Sequence, residues 1–225
     1  MLTRLFSMLE DILYILPITL VSLTFHECAH GYVAYKLGDP TAKESGRLSL
    51  NPLAHIDPLG LLMMVVLKFG WAKPVPVNPL YFKNVKKGML LTALAGPVSN
   101  LILAVFGGFF ATVFLYAYAI TQVGAVLVAY KLFYLLTMLN IGLAVFNLIP
   151  VYPLDGSRIL GYFLPDSFNR FFIKYGNYIY IAFFVLILTT DFVGNSIYVV
   201  QNTLFSYLAT LFNYPAFYFA RLFFA

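Results

Sequence analysis

ILYILPITLVSLTFHECAHGYVAYKL, residues 12 to 37, begins as an unbroken apolar run and then, without losing its helical pattern, takes up two histidines, a glutamate and a cysteine at positions 26 to 30. A membrane-spanning helix needs about 20 mostly apolar residues. Ionisable groups at that depth are costly, so they are rare unless they pair, bind something or catalyse. Arg4 followed by an apolar run resembles the start of a secretory signal, but a small-residue cleavage site is missing and the helical pattern runs on to Leu37. The stretch is therefore predicted to be an uncleaved first span.

The rest of the chain agrees with this reading. Its 225 residues are 61% hydrophobic, 18% aromatic and only 10% charged, against roughly 25% charged in an average soluble domain. The expected fold class is an all-α polytopic membrane protein forming a single domain over residues 1–225, with no separate soluble module. A net charge of +5 would point to nucleic acid in a soluble chain. Here the cations lie between apolar spans, which excludes a nucleic-acid partner and points to membrane orientation. One cysteine, Cys28, rules out an intrachain disulfide and ordinarily packs as a small hydrophobe.

Spans are expected at about 9–37, 88–119, 124–150, 175–191 and 196–213, with the apolar tail ending at Ala225 as the candidate for a sixth. Lys43, Arg47, Lys68, Lys73, Lys83, Lys86 and Lys87 fall between the first two spans, whereas the links around Gln122 and Asp191 carry no Lys or Arg. The positive-inside rule then sets the N-terminus outside and the 38–87 loop inside, with Arg158, Arg170, Lys174 and Arg221 also inside. Within that loop, LGLLMMVVLKFGW (59–71) is too short to span and leads into WAKPVPVNPLYF, where prolines and β-branched residues alternate. A re-entrant piece followed by an extended, β-like ribbon is predicted, the alternative being an amphipathic loop on the membrane surface. Non-helical backbone at membrane depth must be covered by protein or line a cavity.

His26, Glu27 and His30 form HExxH. Residues four apart share one helix face, so both imidazoles reach one metal ion and the neighbouring Glu27 reaches a water beside it. A catalytic zinc usually has a third protein ligand. Three residues are candidates: Asp155 in NLIPVYPLDGSRIL, and His55 or Asp57 in NPLAHIDPLG. Spacing does not choose between them. Asp155 follows PVYP directly after a long apolar span, so a broken helix end can hold its carboxylate near membrane depth, with Gly156 permitting a tight turn. An Asp-Gly pair after a helix is ordinarily just a turn. Beside an unfinished metal site it is a candidate ligand.

HECAH on the first span, LAGPVSN (94–100) on the next and FNLIPVYPLDG (146–156) after the third together resemble the motifs of the site-2 protease family of intramembrane zinc metalloproteases, in the right order over roughly the first 160 residues. With no PDZ or CBS-like insert, the chain is similar to a compact bacterial or archaeal member. The resemblance implies that Asp155 is the third ligand of one Zn2+ per chain and that the Asn147 amide donates to a developing oxyanion. It also implies substrate contacts or gating at Gly96, Pro97 and Asn100, although close helix packing explains Gly96 equally well. The NPxxHID segment is similar to that of one subgroup and implies a place for His55 near the active-site entrance. The substrate implied is a protein with one membrane span, cleaved in the lipid bilayer of the cell membrane at a site open to the cytoplasmic side.

Two other classes compete with this reading. A transporter also sets buried ionisable groups beside broken helices, but it has no need of a glutamate between two histidines spaced for one metal. An inactive scaffold that binds membrane segments is expected to have lost part of the His-Glu-His-Asp set, and all four are present. Orientation can be checked directly: in Lys43→Cys and Lys86→Cys chains, a membrane-impermeant thiol reagent is expected to label only from the cytoplasmic side. Labelling from outside would reverse the topology.

Overall fold

The computed structural model describes residues 2–67 and 70–224. Lys68, counted above among the inner cations, and Ala225 at the end of the apolar tail lie outside the described residues. Among the described residues eight α-helices follow in order: α1 (Leu2–Lys36), α2 (Thr41–Glu44), α3 (Pro58–Leu67), α4 (Val85–Thr121), α5 (Gly124–Asn147), α6 (Asp155–Phe163), α7 (Asp166–Thr189) and α8 (Phe192–Phe224). By length and composition, α4 and α5 are long and apolar enough to cross a membrane, and the pair Lys174–Thr189 and Phe192–Phe224 gives up to one more. Large apolar side chains stay uncovered along their length, as at Ile102, Val105 and Phe106 of α4 and Val185 and Leu188 of α7. Water does not tolerate such faces and lipid does. The chain is a membrane protein.

The helices packed into two compact units. One comprises residues 1–22, 101–142 and 198–225. Its core joins Val113 and Ala117 of α4 to Ala216 and Ala220 of α8, with Phe109, Tyr116, Val126 and Phe224 against them. Small residues let the helix backbones approach closely, as is usual where lipid supplies no hydrophobic drive between helices. Buried polar groups are paired within the unit: the Asn140 amide donates to the Ser22 hydroxyl at 2.8 Å, and that of Gln201 donates to the Met138 carbonyl at 2.7 Å.

The second unit comprises residues 23–100 and 143–197 and holds all the chemistry-bearing residues singled out above. Its loop between α1 and α4 is built on a local device used three times. In Asn51-Pro52-Leu53, Asp57-Pro58-Leu59 and Asn78-Pro79-Leu80, the first side chain accepts the leucine N–H, at 3.1, 2.9 and 3.1 Å. Proline fixes the backbone at the first helical position and needs no donor there, while the Asx oxygen satisfies an exposed N–H of the turn. The first and third initiate single 3-10 turns, Pro52–Ala54 and Pro79–Tyr81, and the second initiates α3. Asn84 caps α4 through Lys87 N–H at 3.0 Å.

The alternation in WAKPVPVNP does not form a strand among the described residues. From Gly70 to Asn78 the backbone is non-helical, with one isolated antiparallel bridge, Ile56 to Ala72. Pro74 and Pro76 carry no N–H, so they cannot continue a ladder.

Gly107 of α4 sits where an added Cβ would come 2.6 Å from the Thr137 hydroxyl of α5 and 3.2 Å from the Phe133 carbonyl. Gly107→Ala is therefore expected to cost about 1–3 kcal/mol of stability by overpacking, read as a lower unfolding midpoint in detergent. Adding Thr137→Ala should regain part of the loss.

Candidate metal centre

The helical spacing of HExxH puts His26 and His30 on one face of α1, and that face packs against a stripe on α4 made by Thr92, Gly96 and Asn100, one residue per turn. His26 Nδ1 lies 2.6 Å from the Asn100 side-chain oxygen, and His30 Nδ1 lies 2.7 Å from the Thr92 carbonyl oxygen. Both neighbours are acceptors, so each ring donates from Nδ1. A neutral imidazole has one N–H, and each Nε2 is left with a bare lone pair. At the middle of the stripe Gly96 has no side chain, and a Cβ there would overlap both imidazoles.

Asp155, the first residue of α6, completes the group. Its Oδ2 is 3.3 Å from His26 Nε2 and 3.2 Å from His30 Nε2, and the two Nε2 atoms are 3.0 Å apart. All three residues are buried, and Asp155 Oδ2 has no hydrogen-bond partner. Gly156 lies under the carbonyls of Leu148 and Ile149, where a Cβ would not fit, so the end of α5 and the start of α6 close on each other and bring the carboxylate in. Two nitrogen lone pairs and a carboxylate oxygen facing one another in a buried space repel unless a cation lies between them. Tetrahedral zinc with bonds of about 2.0–2.2 Å separates its ligands by about 3.3–3.6 Å, a few tenths of an ångström wider than the 3.0–3.3 Å found here. The observed triangle is close to that size, and N,N,O donation suits zinc. These residues fit the ion.

Glu27, on the next position of α1, is held from the loop: its Oε2 accepts the Val75 backbone N–H at 2.9 Å. Sequence reading had no means to find this contact, because a backbone amide carries no residue signature. Asn147 is at the last turn of α5, where its amide donates to the Leu143 carbonyl at 2.9 Å, leaving a second N–H. Pro97 lies within α4 beside Gly96 and is buried.

The other two candidates for a third ligand are placed elsewhere. His55 is buried but donates from Nε2 to the Ser49 carbonyl at 2.7 Å, and Asp57 accepts the N–H groups of Leu59 and Gly60 as the cap of α3. Among the described residues, the group of three able to hold a metal is His26, His30 and Asp155.

Comparison with known proteins gives the same direction. The profile of Peptidase family M50 matches residues 117–189. Over 177 residues the chain is 45% identical to "Putative zinc metalloprotease YwhC" of Bacillus subtilis, covering 78% of this chain and 80% of that protein. It is 34% identical over 149 residues to "Putative zinc metalloprotease Rip2" of Mycobacterium tuberculosis H37Rv, covering 63% and 53% respectively. It is 30% identical over 149 residues to "Zinc metalloprotease MJ0392" of Methanocaldococcus jannaschii, covering 66% and 34%. No solved structure matches the chain.

Metal analysis tests the triangle. Asp155→Ala is expected to lose most of the bound zinc of the purified protein, and His55→Ala to keep it. The opposite result would move the site to the loop.

Proposed function

The chain belongs to the site-2 protease family, peptidase family M50, and from that premise we propose that it is an intramembrane zinc metalloprotease cleaving a peptide bond in or near the transmembrane segment of a single-span membrane protein. The observation that supports this most directly is the buried triangle of two imidazole Nε2 atoms and the Asp155 carboxylate, with a second carboxylate, Glu27, at the adjoining position of the same helix. One zinc per chain, held by His26, His30 and Asp155, supplies Lewis acidity, polarising a carbonyl and lowering the pKa of a water to about 7.

The chain's own residues supply the rest. The Nδ1 hydrogen bonds to Asn100 and Thr92 hold both rings in the tautomer that presents Nε2. Asn100 is thereby read as a partner of His26 as well as a candidate substrate contact. Glu27 takes a proton from the attacking water at Oε1, since Oε2 is engaged by Val75, and delivers it to the leaving amine as the C–N bond breaks. Asn147 turns its second amide N–H toward the substrate carbonyl oxygen as negative charge develops there.

A helical substrate must unwind before attack, because its carbonyls are tied up within the helix. The non-helical run Gly70–Asn78 offers extended backbone beside Glu27 for the unwound segment to pair with, the β-like role read from its sequence. Gly96 and Pro97 adjoin the same centre, and His55 lies in the loop that fastens the run. In the cell membrane, α1, α7 and α8 join α4 and α5 as spans to make five crossings, with the apolar tail within α8 the candidate for a sixth, and the site opens toward the cytoplasm.

Glu27→Gln separates an enzyme from a scaffold of the same fold. The amide keeps the size and much of the bonding of the carboxylate, and all three proposed ligands remain. Zinc content is expected to stay at the wild-type level while cleavage of a model single-span substrate in liposomes falls about 10²–10⁴-fold. Wild-type cleavage by the zinc-loaded variant would remove Glu27 from the mechanism.

A further inference from the structure

The run that touches Glu27 has no sheet to hold it, yet it is fastened at both ends. Asn78 N–H donates to Oδ2 of the buried Asp39 at 2.7 Å, and Lys73 N–H donates to the His55 carbonyl at 2.9 Å. The densest anchor is Arg47. Its Nη2 donates to the carbonyls of Lys73, at 2.7 Å, and Pro74, at 3.0 Å, while Nη1 donates to the carbonyl of Ala54. One guanidinium thus ties the loop before α3 to the run after it, which a rigid, multi-donor fork does and a point charge does not.

The carbonyl of Pro74 and the N–H of Val75 are two ends of one peptide unit. That unit is planar, so fixing the oxygen fixes the direction of the N–H on the opposite side. Arg47 grips the oxygen and Glu27 Oε2 accepts from the nitrogen. The flanking residues narrow the freedom further: Pro74 sets its own φ, and Pro76 biases Val75 toward extended backbone. The Val75 side chain is buried and lies against Gly31 of α1, one turn beyond Glu27, where a Cβ would come 3.1 Å from Val75 Cγ1. A cation on the carbonyl also polarises the amide, strengthening what it donates.

We propose that Arg47 is a positioning residue for the reaction: through the Pro74–Val75 peptide it fixes Glu27 Oε2 and so aims Oε1. This rests on the reading of Glu27 as the proton acceptor. It adds a residue outside the three motifs that carry the family resemblance, acting from the far side of a loop.

The test uses the full zinc-loaded chain in liposomes with a model single-span substrate, in four variants: Arg47→Ala, Arg47→Lys, Val75→Pro and the Arg47→Ala/Val75→Pro double. Val75→Pro deletes the donor itself. Expected for Arg47→Ala are unchanged zinc content, KM within about threefold and kcat lower by roughly 10- to 100-fold, the scale set by a misplaced catalytic group. Arg47→Lys recovers part of that loss, Val75→Pro reproduces it, and the double variant falls no further than either single, as for two residues acting through one contact. Backbone hydrogen exchange supplies a readout free of activity: the Val75 amide should exchange at least about tenfold faster in Arg47→Ala. Wild-type kcat in Arg47→Ala, a loss confined to KM or to zinc, additive losses in the double, or unchanged exchange at Val75 would each overturn the proposal. If Glu27→Gln cleaves like the wild type, the reading of Glu27 as the proton acceptor fails instead, and the exchange measurement still decides whether Arg47 holds the peptide.

Discussion

Everything in the second unit is arranged around three lone pairs that cannot face each other alone. His26 Nε2, His30 Nε2 and Asp155 Oδ2 stand 3.0 to 3.3 Å apart in a buried space, and in the neutral tautomer that donates from Nδ1 both rings turn a lone pair into it. Such an arrangement is stable only with positive charge inside it. The packing of α1 on α4 is therefore also a statement about ring orientation. Thr92 and Asn100 set the two imidazoles from one side, and Gly96 leaves the space in which they lie.

How much of this was legible beforehand depends on whether a side chain or a backbone group carries the function. HECAH showed the histidine pair at once, because a four-residue interval on a helix leaves little choice of face. Five long helices lie near the ranges expected for spans, although by length and composition α4 and α5 pass as spans and the α7–α8 pair gives up to one more; the largest departure in range is α8, which continues through the apolar tail to Phe224 across Pro215. The choice among Asp155, His55 and Asp57 was different. All three lie on the same expected side of the membrane, and spacing along the chain says nothing about which returns to α1. The decision rests on a turn between α5 and α6 and on the local duties that occupy the other two.

Backbone contacts were invisible for the same reason. Val75 holds Glu27 and Thr92 holds His30 through peptide groups that any residue would offer. Asn100 was read as a substrate contact because the motif around it was recognised as a unit, and the motif did not announce that its oxygen also meets His26. The proline alternation after Trp71 suggested a ribbon. Its valines do favour extended backbone, but the prolines between them remove the donors that a ladder requires, and side-chain and carbonyl anchors replace the ladder.

The order of the centre along the chain sets the order in which it can be assembled. His26, His30 and both of their ring acceptors belong to the first 100 residues, while Asp155 is made 55 residues after Asn100. At synthesis rates of about 5–20 residues per second, that interval lasts roughly 3 to 11 seconds. During it the nascent chain has two imidazoles and no carboxylate to complete the triangle. Two neutral ligands hold a divalent ion far less firmly than a set with a charged third. If the centre takes zinc as proposed, its charged third ligand is the last to be made, arriving with α6.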